Sequence, residues 1–553
     1  MKMKKLLALV MALAMVMSLA ACGGSSSTTE DSSSDAASTE STATESSSTE
    51  GESSDADASE DEYKVFKYGT DANSTTFDPA ADLQTNSGSF LCHAVGESLW
   101  TVSSDGSVNY KIAESMEYSE TELVLHIREG VTFSNGDVCT GEDVIFTLEN
   151  CAAQPRTASM YASMDIENAT VSDDGLTVTI PMNYYDAALV DLLGNSNNCI
   201  LDHNVFDADN ADWLIGTGPY MLKGDGITDK SGWEESVSYT LVRNPYYWGE
   251  EPYYDEFDVY FYSEESTRYA DFQSGKLDAI YLTEATYINN LSSGAVSGAS
   301  LVTAVEPSVY GFEMAWNTES MGTFADINVR KAFAHCLDIN AMVDQLGEGV
   351  YTVASSLVGE DSWAYVNTGI YDYDPEAAAA YLAEAGYSVD NPITIKVYAE
   401  GTAWNSAMFE AAQAYCSQIG INLDLSGVAD FATILPVLIS GEQDMSLGQG
   451  SNGSGNDPAN LLQQFGPASD NVLIRTSASD YPELAQLFTD AAACQDQSER
   501  AQMYKDFIQG IHDEYLFVPI CQGSKNFGVL DEHSSLANAI DSANVVDPCL
   551  LTD

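Results

Sequence analysis

The stretch from Ile393 to Leu425 constrains the fold of this 553-residue chain more than any other. Ile393 to Ala399 alternates apolar and polar side chains with the period of two of a half-buried strand. Met408 to Ile419 then carries helical spacing, Gly420 ends it, and Ile421 to Leu425 alternates again. A strand, a helix and a strand in so short a span make a βαβ unit. It obliges a parallel pair, because only a crossover returns the chain in its original direction. Upstream, Asp374-Pro375-Glu376 offers an N-cap, a proline at the first helical position and an acid in the first turn, and Gly386 ends that helix. Val329 to Leu346 and Tyr481 to His512 read as further amphipathic helices, so an α/β lobe is expected over residues 311–515.

The region from Trp100 to Ile200 reads differently. Short alternating strands, Leu176 to Ile180 the clearest, are separated by the turn pairs Asp105-Gly106, Asn135-Gly136 and Asp174-Gly175. This predicts a mostly antiparallel insert.

The N-terminus bears on compartment. Lys2, Lys4 and Lys5 precede an apolar run from Leu6 to Met17, a secretory-signal pattern, and the run is shorter than the roughly 20 residues a membrane span needs. Leu19-Ala20-Ala21-Cys22 resembles a bacterial lipobox, which implies cleavage before Cys22 and diacylglycerol on its thiol. At about 0.8 kcal/mol per buried methylene, acyl chains would hold a soluble domain on a membrane. Residues 23–62 contain Ser, Thr, Ala, Asp and Glu with no aromatic or basic side chain, so they are expected to be a disordered, self-repelling tether. The formal net charge of −65 excludes a nucleic-acid partner, since no basic stripe exists to displace phosphate counterions.

Beyond Cys22 the cysteines form an odd set with no C-x-x-C. Cys336 and Cys416, on apolar helical faces, read as buried small hydrophobes, and spacing leaves any disulfide pairing open. Catalytic patterns are missing: there is no G-x-S-x-G, no H-E-x-x-H, and Gly275-Lys276 is followed by Leu277, so it is no P-loop. The histidines at 93, 126, 203, 335, 512 and 533 show no helical ligand spacing, and Cys92-His93 is read as a strand pair pointing to opposite faces. The run GQGSNGSGNDPANLL, Gly448 to Leu462, looks like a phosphate loop, but no basic residue lies between Lys396 and Arg475 to support one. Neither an enzyme, a metal site nor a cofactor is expected.

Several motifs then fall into one order. They include Thr76-Phe77-Asp78-Pro79, Leu123 to Gly136, Glu142-Asp143-Val144, Gly216-Thr217-Gly218-Pro219-Tyr220, Arg243-Asn244-Pro245-Tyr246-Tyr247-Trp248 and Ser274 to Asp278. Asp326 to Phe333, Tyr373 to Tyr387, Ile419-Gly420-Ile421, Arg500 to Tyr504 and Phe517 to Ile520 complete the series. It resembles the extracellular solute-binding proteins of family 5, the oligopeptide, dipeptide and nickel receptors of ABC importers. The Gly-Thr-Gly-Pro-Tyr run is read as a turn, Arg128 and Asp143 as a structural pair, and Arg243-Asn244-Pro245 as a strand end.

The resemblance implies an α/β, periplasmic-binding-protein-like fold of type II, in its large three-subdomain form, with two lobes around a ligand cleft. The implied division is a signal peptide at 1–21, lipidated Cys22 and tether at 22–62, first lobe at 63–100, 213–310 and 516–553, the insert at 101–212, and the second lobe at 311–515. The implied ligand-facing residues are Ser87, Gly88, Ser89 and Phe90 on the first lobe, with Trp404, Asn405, Gly450, Ser451, Asn452, Gly453 and Ser454 on the second. In the family's peptide receptors an aspartate three places before an acid-Pro pair holds the peptide ammonium. Here Gly453 or Ser454 stands there, and Ser451 or Gly450 replaces the pocket tryptophan, which disfavours a free α-amino peptide held in the usual way. The expected protein is a monomeric, lipid-anchored receptor on the outer face of a bacterial cell membrane. It would take a peptide or peptide-like solute to ABC permease subunits and their ATPases. A sensing receptor of the same fold, or a receptor for a metal complex or sugar, is the alternative; a secreted hydrolase ranks last.

Overall fold

The computed structural model describes residues 63–553 apart from 72–76, 81–85, 104–105, 155–157, 208–212, 225–227, 315–322, 348–349, 430–432, 435–436, 438–442, 450–456, 463–464, 466–480 and 541–545. Cys22, the signal and tether segments, and Gly450 to Ser454 therefore lie outside the described residues. All that follows concerns the compact unit Glu62–Asp553.

Two lobes share one twelve-stranded sheet among the described residues. The first lobe is built on β1 (Val65–Thr70), flanked in parallel by β11 (Glu256–Phe261) and β12 (Ala279–Leu282). Antiparallel β10 (Ser238–Arg243) extends it, with β8 (Tyr220–Leu222) and β9 (Trp233–Glu234) both pairing to β10. One face is closed by α1 (Asn86–Val95) over a core of Phe66, Tyr68, Phe90 and Phe257. The other is closed by α4 (Glu265–Gln273) and α5 (Ala285–Ser292) over Phe272, Ile280 and Leu291.

The insert is antiparallel throughout. β2 (Trp100–Val102) and β3 (Val108–Tyr110) form a hairpin, and β4 (Ala113–Tyr118), β5 (Glu122–Ile127), β6 (Thr170–Val171) and β7 (Thr177–Pro181) form a sheet in the order β4-β5-β7-β6. Gly106, Gly136 and Gly175 sit at φ of +84°, +90° and +76°, so each of the three turn pairs uses the left-handed region that glycine alone enters cheaply. Helices α2 (Gly141–Ala153) and α3 (Leu189–Leu193) complete this subdomain.

The second lobe carries the βαβ unit read from the sequence: β15 (Ile393–Glu400) and β16 (Ile421–Ala429) are parallel, joined by α9 (Ala403–Cys416). β17 (Met445–Gln449) lies on the other side of β15, also parallel. Asp374 caps α8 (Pro375–Glu384), its side chain accepting from Ala377 N, and Gly386 beyond the helix has φ +89°. Two long helices expected from the sequence are each broken. Val329 to Leu346 becomes α6 (Ile327–Cys336) and α7 (Ile339–Gly347), because Leu337 turns extended and Asp338 accepts from Ala341 N to start a new helix. Tyr481 to His512 becomes α11 (Pro482–Ala493) and α12 (Gln497–Asp513), with Asp496 accepting from Ser498 N and Glu499 N as N-cap of the second. A short α10 (Pro458–Leu461) precedes them.

The lobes are joined by two strands that run through both, β13 (Ala299–Met314) and β18 (Phe517–Leu530). Ala299 to Val305 pair with β18 beside β12, and Val309 to Glu313 pair with the start of β18 and with β17; β14 (Thr352–Val353) adds to β18. Between these halves the ladder slips twice, at Val305/Val309 and at Tyr310/Gly311. Such bulges break the regular pairing at the point where the chain crosses from one half of the sheet to the other.

Candidate functional site

The register alone orients the two half-sheets. β18 runs from the second lobe to the first, and Leu282, the last residue of β12, pairs with Asn526, nearer the crossing than Val529, which pairs with Ala279. The carboxyl ends of β12, β1 and β11 therefore face the second lobe. β17 begins opposite Met314 and ends opposite Tyr310 at the crossing, so its carboxyl end and those of its parallel neighbours face the first lobe. Parallel α/β sheets bind ligands outside the carboxyl ends of their strands, and here two such edges face the crossing strands from either side.

The described residues at these edges are polar. On the first lobe, Glu265 opens α4, pairs with the buried Arg268 guanidinium at 3.4 Å, and accepts from the Thr283 amide and from the Glu284 amide at 3.0 Å, with Asp71 following β1. On the second, Glu400 ends β15 and Thr402 caps α9, accepting from Asn405 N at 3.1 Å. Trp404, in the first turn of α9, packs on Tyr351 with ring centroids 4.4 Å apart and planes tilted by 35°, and is half-buried. Asn405 spends its Nδ2 on the Glu400 carbonyl. Both residues thus lie just beyond the carboxyl end of β15, Trp404 packed against Tyr351 and the lobe core and Asn405 fixing the turn.

The first-lobe candidates fare differently. Ser87 to Phe90 belong to α1, not to a loop, and Cys92 and His93 share that helix, so the strand reading of that pair is corrected. Phe90 is buried in the first-lobe core against Tyr68 and Phe257, which removes it from a ligand-facing role. Gly216 and Gly218 also act otherwise than as a flexible turn. A Cβ on Gly216 would stand 2.0 Å from the Val95 carbonyl oxygen and one on Gly218 2.6 Å from that of Ala94, so close backbone approach at the end of α1 demands both glycines. Arg128 and Asp143 do not pair. Arg128 Nε donates to the Lys111 carbonyl and its guanidinium lies over Trp248, whereas Asp143 caps α2 through Thr140 and accepts from His203. Asp143, Asp202 and His203 bring ligand atoms within 4.8 Å of one another. Their oxygens are already engaged by Thr140, His203, Asn135 and Asn204, so the group reads as a cap joined to a turn.

Downstream of the glycine-rich loop the geometry is sharp. Asp457 caps α10 by accepting from Ala459 N at 2.9 Å, and holds Arg500 in a two-pronged pair, Nη1 to Oδ2 at 2.5 Å and Nη2 to Oδ1 at 2.6 Å. Both side chains are more than nine-tenths buried. Burial pulls against the Arg500 charge, but the Asp457 carboxylate more than offsets it and holds the guanidinium pKa above its usual range. The same knot reaches the insert: Asp457 N and Asn460 Nδ2 donate to Asp191 Oδ2 at 3.1 and 2.9 Å, Ala187 N donates to the Ala492 carbonyl, and Ala188 packs in the second-lobe core. Asp457 is therefore structural.

One acid was missed. Glu313, near the end of β13, is buried and, among the described residues, accepts one hydrogen bond, from Ser446 Oγ at 3.1 Å, and meets no basic group. Burial pushes its carboxyl up to about 8. An isolated acid in an alternating strand gives no sequence signal, because alternation usually marks such a residue as solvent-facing.

The described cysteines are all free thiols, and Cys336 and Cys416 are buried as expected, with their sulfurs 3.5 Å apart. Among the described residues no helix is long and apolar enough to cross a membrane.

Residues 107–471 match the profile described as bacterial extracellular solute-binding proteins, family 5 Middle. The chain is 25% identical over 465 residues to the nickel-binding periplasmic protein of Escherichia coli (strain K12), covering 79% of this chain and 85% of that one. Among solved structures it superposes on NikA from Brucella suis in complex with Fe(III)-EDTA, with a TM-score of 0.75 and 22% identity, covering 88% of this chain and 99% of that one. It also superposes on DppA from Helicobacter pylori in complex with the peptide STSA, with a TM-score of 0.71 and 19% identity, covering 88% and 97%. At such identities these superpositions carry the fold: a type II, two-lobed binding-protein architecture.

Proposed function

The chain belongs to family 5 of the bacterial extracellular solute-binding proteins, and from that premise we propose that it is the membrane-anchored receptor of an ABC importer, closing two lobes around a peptide or peptide-like solute and passing it to the permease. Members of this family bind solutes and are not enzymes. The observation that carries the reading is the pair of long strands, β13 and β18, that run through both lobes and slip register between them. They supply a hinge directly beneath two facing sets of strand ends. Closure there would expel water and strengthen each polar contact to the cargo, and reopening would release it. The lipobox-like Leu19 to Cys22 supports anchoring through a lipid on Cys22, and the acidic tether at 23–62 supports reach away from the bilayer.

A second reading, a metal complex as cargo, draws on the names of the nickel-binding relative and of the Fe(III)-EDTA-bound neighbour. One panel separates the two. The detergent-solubilised full chain is heated alone and with tripeptides, N-acetylated tripeptides, oligosaccharides, and nickel and iron chelates. A ligand at a hundred times its Kd should add about 2.7 kcal/mol of stability. Stabilisation by peptides supports the first reading and by chelates the second. A folded protein that no solute stabilises contradicts both.

A further inference from the structure

Cys336 closes α6 and Cys416 closes α9, and both helices pack on one core, where Phe333 of α6 and Phe409 of α9 meet Phe312 of β13. The two sulfurs stand 3.5 Å apart although 80 residues separate them in the chain. Cys336 Sγ donates to the Phe333 carbonyl at 3.2 Å, which leaves its sulfur to accept from Cys416. Both side chains are buried. A thiol in a core packs as a small hydrophobe with a weak S–H donor, so packing alone does not select sulfur at two touching positions. A bond between the sulfurs does.

A disulfide holds its sulfurs about 2.05 Å apart, so closing this pair asks for an approach of about 1.5 Å, which small side-chain rotations supply. The loop closed in this way contains α7, β14, α8 and β15. The bond would tie the crossover helix of the βαβ unit to α6, and so large a loop removes much of the unfolded chain's freedom. In the folded lobe the thiols are out of reach. Burial pushes the Cys416 thiol well above its ordinary range, and the carbonyl ends of both helices disfavour a thiolate, the species that exchanges. The bond therefore has to form before the core closes, and the closed core then shields it from reductants.

We propose that Cys336 and Cys416 are joined by a disulfide in the exported protein, formed by exchange with a carrier disulfide outside the membrane while the second lobe folds. The assignment rests on the export proposed above, since disulfides persist in oxidising compartments, and is independent of any solute. The Cys336 thiolate attacks the carrier disulfide, forming a mixed disulfide and expelling one carrier thiolate. The Cys416 thiolate then attacks the Cys336 sulfur and expels the second. Two electrons pass from the cysteine pair to the carrier. The two protons lost by the cysteines end on the carrier, which leaves as a dithiol.

The test purifies the full chain in detergent from its own membranes without reductant, alkylates it with N-ethylmaleimide in urea, and maps the digest by mass spectrometry. Expected is a Cys336 peptide linked to a Cys416 peptide, with neither alkylated. A second arm reduces the chain in urea and refolds it with oxidised and reduced glutathione, which should restore the same linkage. Reductant added to the folded protein should leave the bond intact. Reduction in urea, followed by refolding in reductant, should lower the melting temperature by about 5–15 °C. Cys336→Ala should melt at one temperature with or without that treatment. The assignment is overturned if both thiols of the exported chain alkylate, if either is linked to another cysteine, or if reduction lowers the melting temperature of Cys336→Ala as much as that of the wild type. A chain that keeps residues 1–21 refutes the export reading instead. The refolded chain then decides, and free thiols there overturn the assignment as well.

Discussion

Breaking the Asp457–Arg500 pair should destabilise the second lobe more than any exposed charge change. The pair is closed by two short charge-assisted bonds and both side chains are buried. Among the described residues, replacing Arg500 by Met leaves the Asp457 carboxylate buried with the Ala459 amide as its one remaining donor. It also takes from the Ala491 carbonyl the Arg500 Nε donor at 3.1 Å, leaving it the Cys494 amide. Removing one partner of such a pair costs about 3–5 kcal/mol, because the other charge stays desolvated. Asp457→Asn keeps an acceptor for Ala459 and should cost less, about 2–3 kcal/mol. The double variant Asp457→Leu/Arg500→Met removes both charges and should regain part of the loss, so the two changes will not add. The assay is urea unfolding followed by the fluorescence of Trp363, which lies 5.4 Å from the Arg500 guanidinium, with the other tryptophans replaced by Phe in every chain compared. If Arg500→Met moves the transition by less than about 1 kcal/mol, or if the double variant is simply the sum of the singles, the pair does not hold the lobe as described.

Other outcomes follow from the same geometry. Glu313 has a folded pKa raised from the ordinary 4.5 to about 8, so its ionisation costs stability increasingly as pH rises from about 4.5 to 8. Glu313→Gln should therefore match the wild type near pH 4.5 and exceed it by a few kcal/mol, on the order of the shift itself, at pH 9, read by thermal unfolding across pH. Gly448→Ala forces a methyl group to within 2.8 Å of the Glu313 carboxyl and should cost about 1–3 kcal/mol of stability in the same assay, while Gly448→Ala in the Glu313→Ala background should cost less. Cys22→Ala should move the protein from the membrane pellet to the medium or soluble fraction on fractionation, since the proposed lipid is its anchor. Trp404→Phe, which keeps an aromatic ring against Tyr351 at the second-lobe edge, should retain solute binding, whereas Trp404→Ala should weaken it several-fold, both read by calorimetric titration.

Much of the second lobe was legible because its signals are local. The alternation of Ile393 to Ala399 and Ile421 to Leu425, the helix between them, and the Asp374 cap each depend on residues within a few positions. The helix breaks were harder. Leu337-Asp338 and Cys494 to Asp496 interrupt apolar periodicity without glycine or proline, although an aspartate cap is present at both. Long-range partners were not legible at all. Arg128 and Asp143 were rightly seen as structural but wrongly as each other's partner, since Lys111, Trp248 and His203 lie elsewhere in the chain. The glycines at 216 and 218 answer a helix end more than a hundred residues earlier. Glu313 was invisible for a related reason: alternation tells which residues share a face, while only the fold tells that both faces of this sheet are covered.

The central claim, a two-lobed receptor that closes on a small solute, is tested most directly by native mass spectrometry of the full chain purified from its own membranes without added ligand. The account predicts a fraction of the protein carrying a single small non-covalent mass that dissociates on denaturation and fragments as a peptide or peptide-like compound. A folded protein that never carries such a mass, and that no solute of the panel above stabilises, would contradict it.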